Sequence, residues 1–208
     1  MNTETFNLSN STGIPNKWLG FWGFLVAIGL LWMTAYSMSP GAESKPLFQR
    51  PTGTGVPFSE DRPTLVVFLH PRCPCTRPSV AALGRLMARN HRISVQPLFF
   101  LPGTKREEWA RADYWESTLE FGNHLPLIDV DGEIARKFHV TTSGHVILFS
   151  VDGRVLYSGG ITSGRVHEGD NLGLTKLIRV LEGVPVSDPS FPVYGCSIVT
   201  EPGHDHAH

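Results

Sequence analysis

The chain has 208 residues, 41% of them hydrophobic, with 18 Lys+Arg against 19 Asp+Glu and a formal net charge of −1. That is material for one domain of ordinary size plus additions, and the near-neutral balance argues against nucleic acid or an electrostatically held membrane surface as partner. Three cysteines are too few for a disulfide scaffold, and two of them share one motif, a usage that points to redox chemistry or metal binding.

Residues 1–17 form a polar N-terminal segment whose one basic side chain is Lys17. Residues 18–38 carry no charge and reach the ~20 positions a helix needs to cross a bilayer. Trp18, Trp22, Trp32 and Tyr36 lie toward the two ends, as interfacial aromatic anchors do. The long polar stretch before this segment and the lack of a small-x-small site after it favour a retained single-pass transmembrane anchor over a cleaved signal peptide. Lys17 on one side faces Lys45 and Arg50 on the other, so the charges choose no orientation. A thiol motif suits an oxidising compartment, which places the domain on the extracytoplasmic side of the membrane.

Residues 39–62 are rich in Pro, Gly, Ser and Thr without periodicity and read as a linker. The domain is expected over 63–183. The run 64–69, TLVVFL, is short, β-branched and continuous, as a buried central strand is. Then come His70, Arg72, Cys73, Pro74, Cys75, Thr76 and Arg77. Pro74 suits the first position of a helix, where a missing N–H costs nothing. A thiol at that helix N-terminus, with His70, Arg72 and Arg77 close in sequence, is expected to have a lowered pKa and to be reactive.

Residues 79–90 place Val80, Leu83, Leu86 and Met87 at helical spacing, and 93–101 reads as a second strand ended by Pro102–Gly103. Trp109, Ala112, Trp115 and Leu119 form a stripe that predicts a helix over 105–119. A short strand over 127–130, an Asp131–Gly132 turn and one or two helical turns over 133–138 follow. A hairpin is expected from 145–150 and 154–158 around Asp152–Gly153. The Gly-rich loop 159–171 leads to an amphipathic helix over 172–181, stopped by Gly183. This order predicts an α/β fold, a mixed sheet flanked by helices. Residues 184–208 are a C-terminal tail that carries Cys196 and ends with His204, His206 and His208, a terminus expected to be disordered.

Residues 64–181 resemble the thioredoxin-like superfamily, and within it the membrane-tethered bacterial thiol–disulfide proteins. The likeness rests on a buried strand that delivers a cysteine to a helix start, a leading βαβ unit, a closing hairpin and helix, and the stretches DVDGEIARKFHV and VILFSVDGRVLYSGGI. In the family's pattern the first thiol of C-x-x-C lies five residues after the strand's aromatic residue, which from Phe68 is Cys73. The second thiol then falls on Thr76, and Cys75 stands where the family usually has proline. Gly144 holds the place of the family's cis-proline, and a cis bond before a non-proline residue costs about 2.5–4 kcal/mol, so it should be absent here. The peroxiredoxin-like signature P-x-x-x-T-x-x-C is missing too.

The resemblance implies a thiol–disulfide oxidoreductase acting on protein thiols or disulfides, with Cys73 as nucleophile and Cys75 or Cys196 as the thiol that resolves the mixed disulfide. A disulfide across the single residue between Cys73 and Cys75 is strained, and strained, exposed disulfides are oxidising and labile. Cys196 is either a partly buried free thiol or a resolving thiol returned to the site. The extended chain from Gly183 spans some ~40 Å at ~3.3 Å per residue, enough for that return. His70, Arg72, Thr76, Gly144 and His145 are the supporting residues. Arg165, His167, Glu168, Asp170 and Asn171 either shape the thiol surface or belong to a solvated loop in which Asp170 or Asn171 caps the last helix. No cofactor is required. The alternative is a copper-binding chaperone holding Cu(I) through Cys73, Cys75 and His70 or Cys196.

Overall fold

The structure is a computed structural model and describes residues 16–89, 92–111, 114–121 and 124–199. The chain divides into two compact units, Met1–Tyr36 and Ser37–His208. The first holds α1 (Asn16–Ser37) up to its last residue, and Lys17–Ser37 is long and apolar enough to cross a membrane by length and composition. A signal sequence passes the same test.

The second unit is built on β1 (Thr64–Leu69), every residue of which is buried. α2 (Thr76–Met87) follows, then β2 (Ser94–Leu101), α3 (Glu107–Ala110), α4 (Trp115–Leu119), β3 (Leu127–Val130) and α5 (Glu133–Lys137). The chain continues through β4 (His145–Phe149), β5 (Val155–Gly160), α6 (Leu172–Leu181) and the two-residue β6 (Ser190–Phe191). The strands form one sheet in the order β3-β2-β1-β4-β5-β6. β1 runs parallel to β2 and antiparallel to β4, and β4 is antiparallel to β5. The β2-β1-β4-β5 core, with its βαβ unit, hairpin and closing helix, is the thioredoxin-like arrangement expected from the sequence.

The period-2 alternation of a strand splits β1 between two cores. Leu65, Val67 and Leu69 pack with Leu83, Leu86 and Leu177 of α2 and α6. Val66 and Phe68 pack with Phe138, Val140, Ile147 and Phe149, and with Val56 and Ile198 from outside the expected domain.

That last pair corrects the linker and the tail. Residues 39–62 lie along the domain rather than reading as a free tether. The Gly41 N–H donates to Val193 O, the Val155 N–H to Phe48 O and the Arg50 N–H to Gly153 O. Phe58 meets Phe149 edge-on at 5.4 Å, and Val56 is buried. Scattered apolar residues without a period bury themselves individually, and composition does not reveal that. The tail carries β6, parallel to β5, and buries Ile198. His204, His206 and His208 lie outside the described residues.

The helix expected over 105–119 is two short helices, α3 and α4. Arg111, at ψ 39, leaves helical geometry and ends the first. Trp109 and Trp115 still pack on the core, while Leu119 is exposed; Ala112 lies outside the described residues. At α6, Asn171 is the cap: its side-chain oxygen accepts from the Leu174 N–H at 2.8 Å, satisfying a helix-end donor.

Candidate functional site

α2 begins at Thr76, with Cys75 at its N-cap. Pro74 therefore precedes the helix, and Pro78 takes a first-turn position where its missing N–H would have had no partner. Cys73 lies in the turn, where its N–H donates to His70 O (3.1 Å) and its carbonyl accepts from the Thr76 N–H (2.9 Å).

A second segment completes the turn. The His70 N–H donates to Ser143 Oγ at 2.8 Å, and Thr76 Oγ1 donates to His70 O at 2.7 Å. The Gly144 N–H donates to Phe68 O at 2.7 Å. Gly144, with φ +86, thus ties the β4 loop to the end of β1. Among the described residues no peptide bond is cis, as expected at Gly144.

The tail pairs with that loop. Ser197 bridges antiparallel to Thr142, the Ser143 N–H donates to Cys196 O at 2.8 Å, and the Ile198 N–H to Thr141 O at 3.0 Å. A Cβ on Gly195 would collide with the Ser143 carbonyl, so glycine is what allows this approach. The pairing brings Cys196 Sγ to 2.8 Å from Cys73 Sγ. All three cysteines are free thiols, and Cys75 follows Cys73 two residues on, at the N-cap of α2.

Exposure and electrostatics distinguish the three cysteines. Cys73 is 1% exposed and Cys75 4%, whereas Cys196 is half-buried. The hydrogen bond with Cys196, helped by burial, raises the Cys73 pKa above its ordinary value. Cys75 is raised by the neighbouring Cys73 and by burial. Cys196 is lowered, first by the Cys73 hydrogen bond and further by the Arg165 charge. Cys73 stands just before the first helical turn, its carbonyl accepting from the Thr76 N–H.

Its expected cationic helpers also point elsewhere. The His70 ring stacks on Phe100 at 5.6 Å and meets Trp109 edge-on at 5.5 Å, and its Nδ1 accepts from the Arg72 N–H at 3.2 Å. The Arg72 guanidinium lies over Trp109 at 5.3 Å. His145 is buried, with Nδ1 paired to Ser44 Oγ (3.2 Å) and Nε2 to Ser158 Oγ (2.9 Å). It joins the 39–62 segment to β5, and burial pushes its imidazole down to about 4. Thr76 is buried and braces the turn through His70 O.

The cation comes instead from the 159–171 loop. Arg165 Nη1 donates to Gly195 O at 2.8 Å, and its charge favours the thiolates of Cys196 and Cys75. The Val166 backbone counters part of the rise at Cys75, and Val166 holds φ +60. For a β-branched residue that is strained, and such strain concentrates at functional sites. Glu168 pairs with Arg77 at 2.9 Å on the surface. Sequence reasoning placed Arg165 near the thiol but not its contact, and it missed Ser143 and Val166. The Gly-Cys pair at 195–196 was the available signal for a close backbone approach.

Buried strand, βαβ unit, hairpin and closing helix define a thioredoxin-like fold, with cysteines at the end of its first strand. No protein-family model matches the chain, and no curated protein does. Among solved structures, it is similar to a hypothetical protein from Sinorhizobium meliloti, with 19% identity, a TM-score of 0.56 and coverage of 80% of this chain and 97% of that one. It is also similar to an uncharacterized conserved protein from Geobacillus kaustophilus, with 18% identity, a TM-score of 0.55 and coverage of 80% and 95%. These likenesses concern the fold. A thioredoxin-like protein from Aeropyrum pernix matches at 19% identity with a TM-score of 0.43, covering 61% of this chain and 80% of that one.

Proposed function

We propose that this chain is a membrane-tethered thiol–disulfide oxidoreductase whose redox couple is Cys73 and Cys196. One observation carries the reading: the 2.8 Å approach of the two sulfurs, held by main-chain pairing between residues 141–143 and the tail. Exchange proceeds through a mixed disulfide with a protein thiol or disulfide, and Cys75 is the neighbouring third thiol. The N-terminal helix serves as the anchor, and the domain works on the extracytoplasmic side, where disulfides persist.

The copper reading finds less support. Thiolates suit Cu(I), but among the described residues no group of three or more His, Cys, Asp or Glu is disposed to hold a metal. The His70 ring is engaged by Phe100, Trp109 and the Arg72 N–H.

The test uses the full chain in detergent micelles, oxidised and mapped by mass, then assayed on a model disulfide. A Cys73–Cys196 linkage with turnover supports the reading. A reduced chain that binds Cu(I) tightly with loss of titratable thiols, yet neither reduces nor oxidises the model disulfide, overturns it.

A further inference from the structure

The three sulfurs are not equally placed to meet a partner. Cys73 has the Cys196 sulfur at 2.8 Å and is 1% exposed. Cys75 is covered as well, at 4%. Cys196 is half-buried and rides on an outer segment whose next residue, Ser197, is exposed. The Cys73 sulfur has Cys196 of the tail against it, and Cys196 is the residue of the three that is not fully buried.

The chain on either side of Cys196 is held from two directions. Arg165 Nη1 grips the carbonyl of Gly195, and Ser143 donates to the carbonyl of Cys196 itself. Ile198, 1% exposed, anchors the segment in the core. A segment tied at residues 195, 196 and 198 is a rigid support for a reacting atom.

Resting on the thiol–disulfide reading above, we propose that Cys196, not Cys73, is the catalytic thiol that meets the partner protein, that Cys73 is the buried thiol that closes the internal disulfide, and that Arg165 is the positioning residue for Cys196. Acting on a partner disulfide, the Cys196 thiolate attacks one sulfur. The partner S–S bond breaks, the displaced partner sulfur leaves as a thiolate and takes up a proton, and a Cys196–partner mixed disulfide forms. Cys73 then gives up its proton and attacks Cys196 Sγ. The second partner sulfur leaves and is protonated, so the partner gains two thiols while the protein gains one Cys73–Cys196 disulfide. The reverse sequence oxidises a partner dithiol. The lowered pKa of Cys196 agrees with this order.

The experiment mixes reduced full-length chain in detergent micelles with limiting oxidised glutathione, quenches early with acid and maps the glutathione adduct by mass. The first adduct is expected on Cys196 in the unmodified chain. Cys73→Ser is expected to accumulate the Cys196 adduct, while Cys196→Ser reacts at least about tenfold more slowly, as loss of the accessible thiolate implies. In a Cys73→Ser background, Arg165→Gln is expected to move the pH midpoint of Cys196 alkylation upward and Arg165→Lys to restore it. A purely structural role would not produce that rescue. A first adduct on Cys73, with Cys196→Ser reacting at the unmodified rate, overturns the order while leaving disulfide exchange intact. An unmoved midpoint in Arg165→Gln overturns the positioning role. No adduct on any cysteine overturns the exchange reading with it.

Discussion

The Ser143 N–H donates to the Cys196 carbonyl oxygen across 2.8 Å, so the loop before β4 and the tail thiol are joined main chain to main chain. The join needs no particular side chain at either residue, but it does need space at Gly195, directly beneath the Ser143 carbonyl.

Gly195→Val is expected to break this pairing. Overpacking of this kind costs about 1–3 kcal/mol, and oxidation should no longer link Cys73 to Cys196 in high yield. Mass mapping of the oxidised variant, with its thermal midpoint, checks both parts.

Oxidation of the unmodified chain is expected to stabilise it. The two cysteines are 123 positions apart, and closing so long a loop restricts the unfolded chain by up to about 5 kcal/mol in the entropic model. Thermal unfolding of oxidised and reduced forms should differ by several degrees, and Cys196→Ser should show no difference between the two conditions.

His145 makes the domain acid-sensitive. Its folded pKa is about 4 against an ordinary value of 6.5, so below pH 6.5 the unfolded state binds a proton that the folded state refuses. Stability therefore falls as pH drops from about 6.5 to about 4, by about 3 kcal/mol, and no further below that for this group. Denaturant unfolding against pH should show this slope, and His145→Asn should flatten it at the cost of a lower plateau near neutrality.

Phe58→Ala tests the packing of the 39–62 segment. Phe58 is half-buried against Phe149 and lies beneath the Arg50 guanidinium at 5.1 Å. Its truncation is expected to cost about 2 kcal/mol, less than a fully buried Phe. Urea midpoints measure this, and an unchanged midpoint would mean that the segment does not hold the domain.

The hairpin was legible because Asp152–Gly153 couples a turn signal to two apolar runs, and α6 because Asn171 and Gly183 bracket one amphipathic stripe. The two-helix break near Arg111 was not legible, since the Trp109–Trp115 spacing suits one helix as well as two. Placement of a thiol at the end of β1 followed from the strand's continuous apolar run. The surroundings of His70 and Arg72 did not, because their side chains pack on Phe100 and Trp109.

By itself the sequence determined the thioredoxin-like core, the thiol turn and a helix of membrane-spanning length. Each of these rests on local signals: hydrophobic period, turn residues and length. Only the tertiary structure decided that residues 39–62 pack on the domain, that Arg165 is the cation at the site and that Cys196 faces Cys73. Those facts depend on main-chain pairing and burial between segments far apart in the chain, which composition and spacing do not encode.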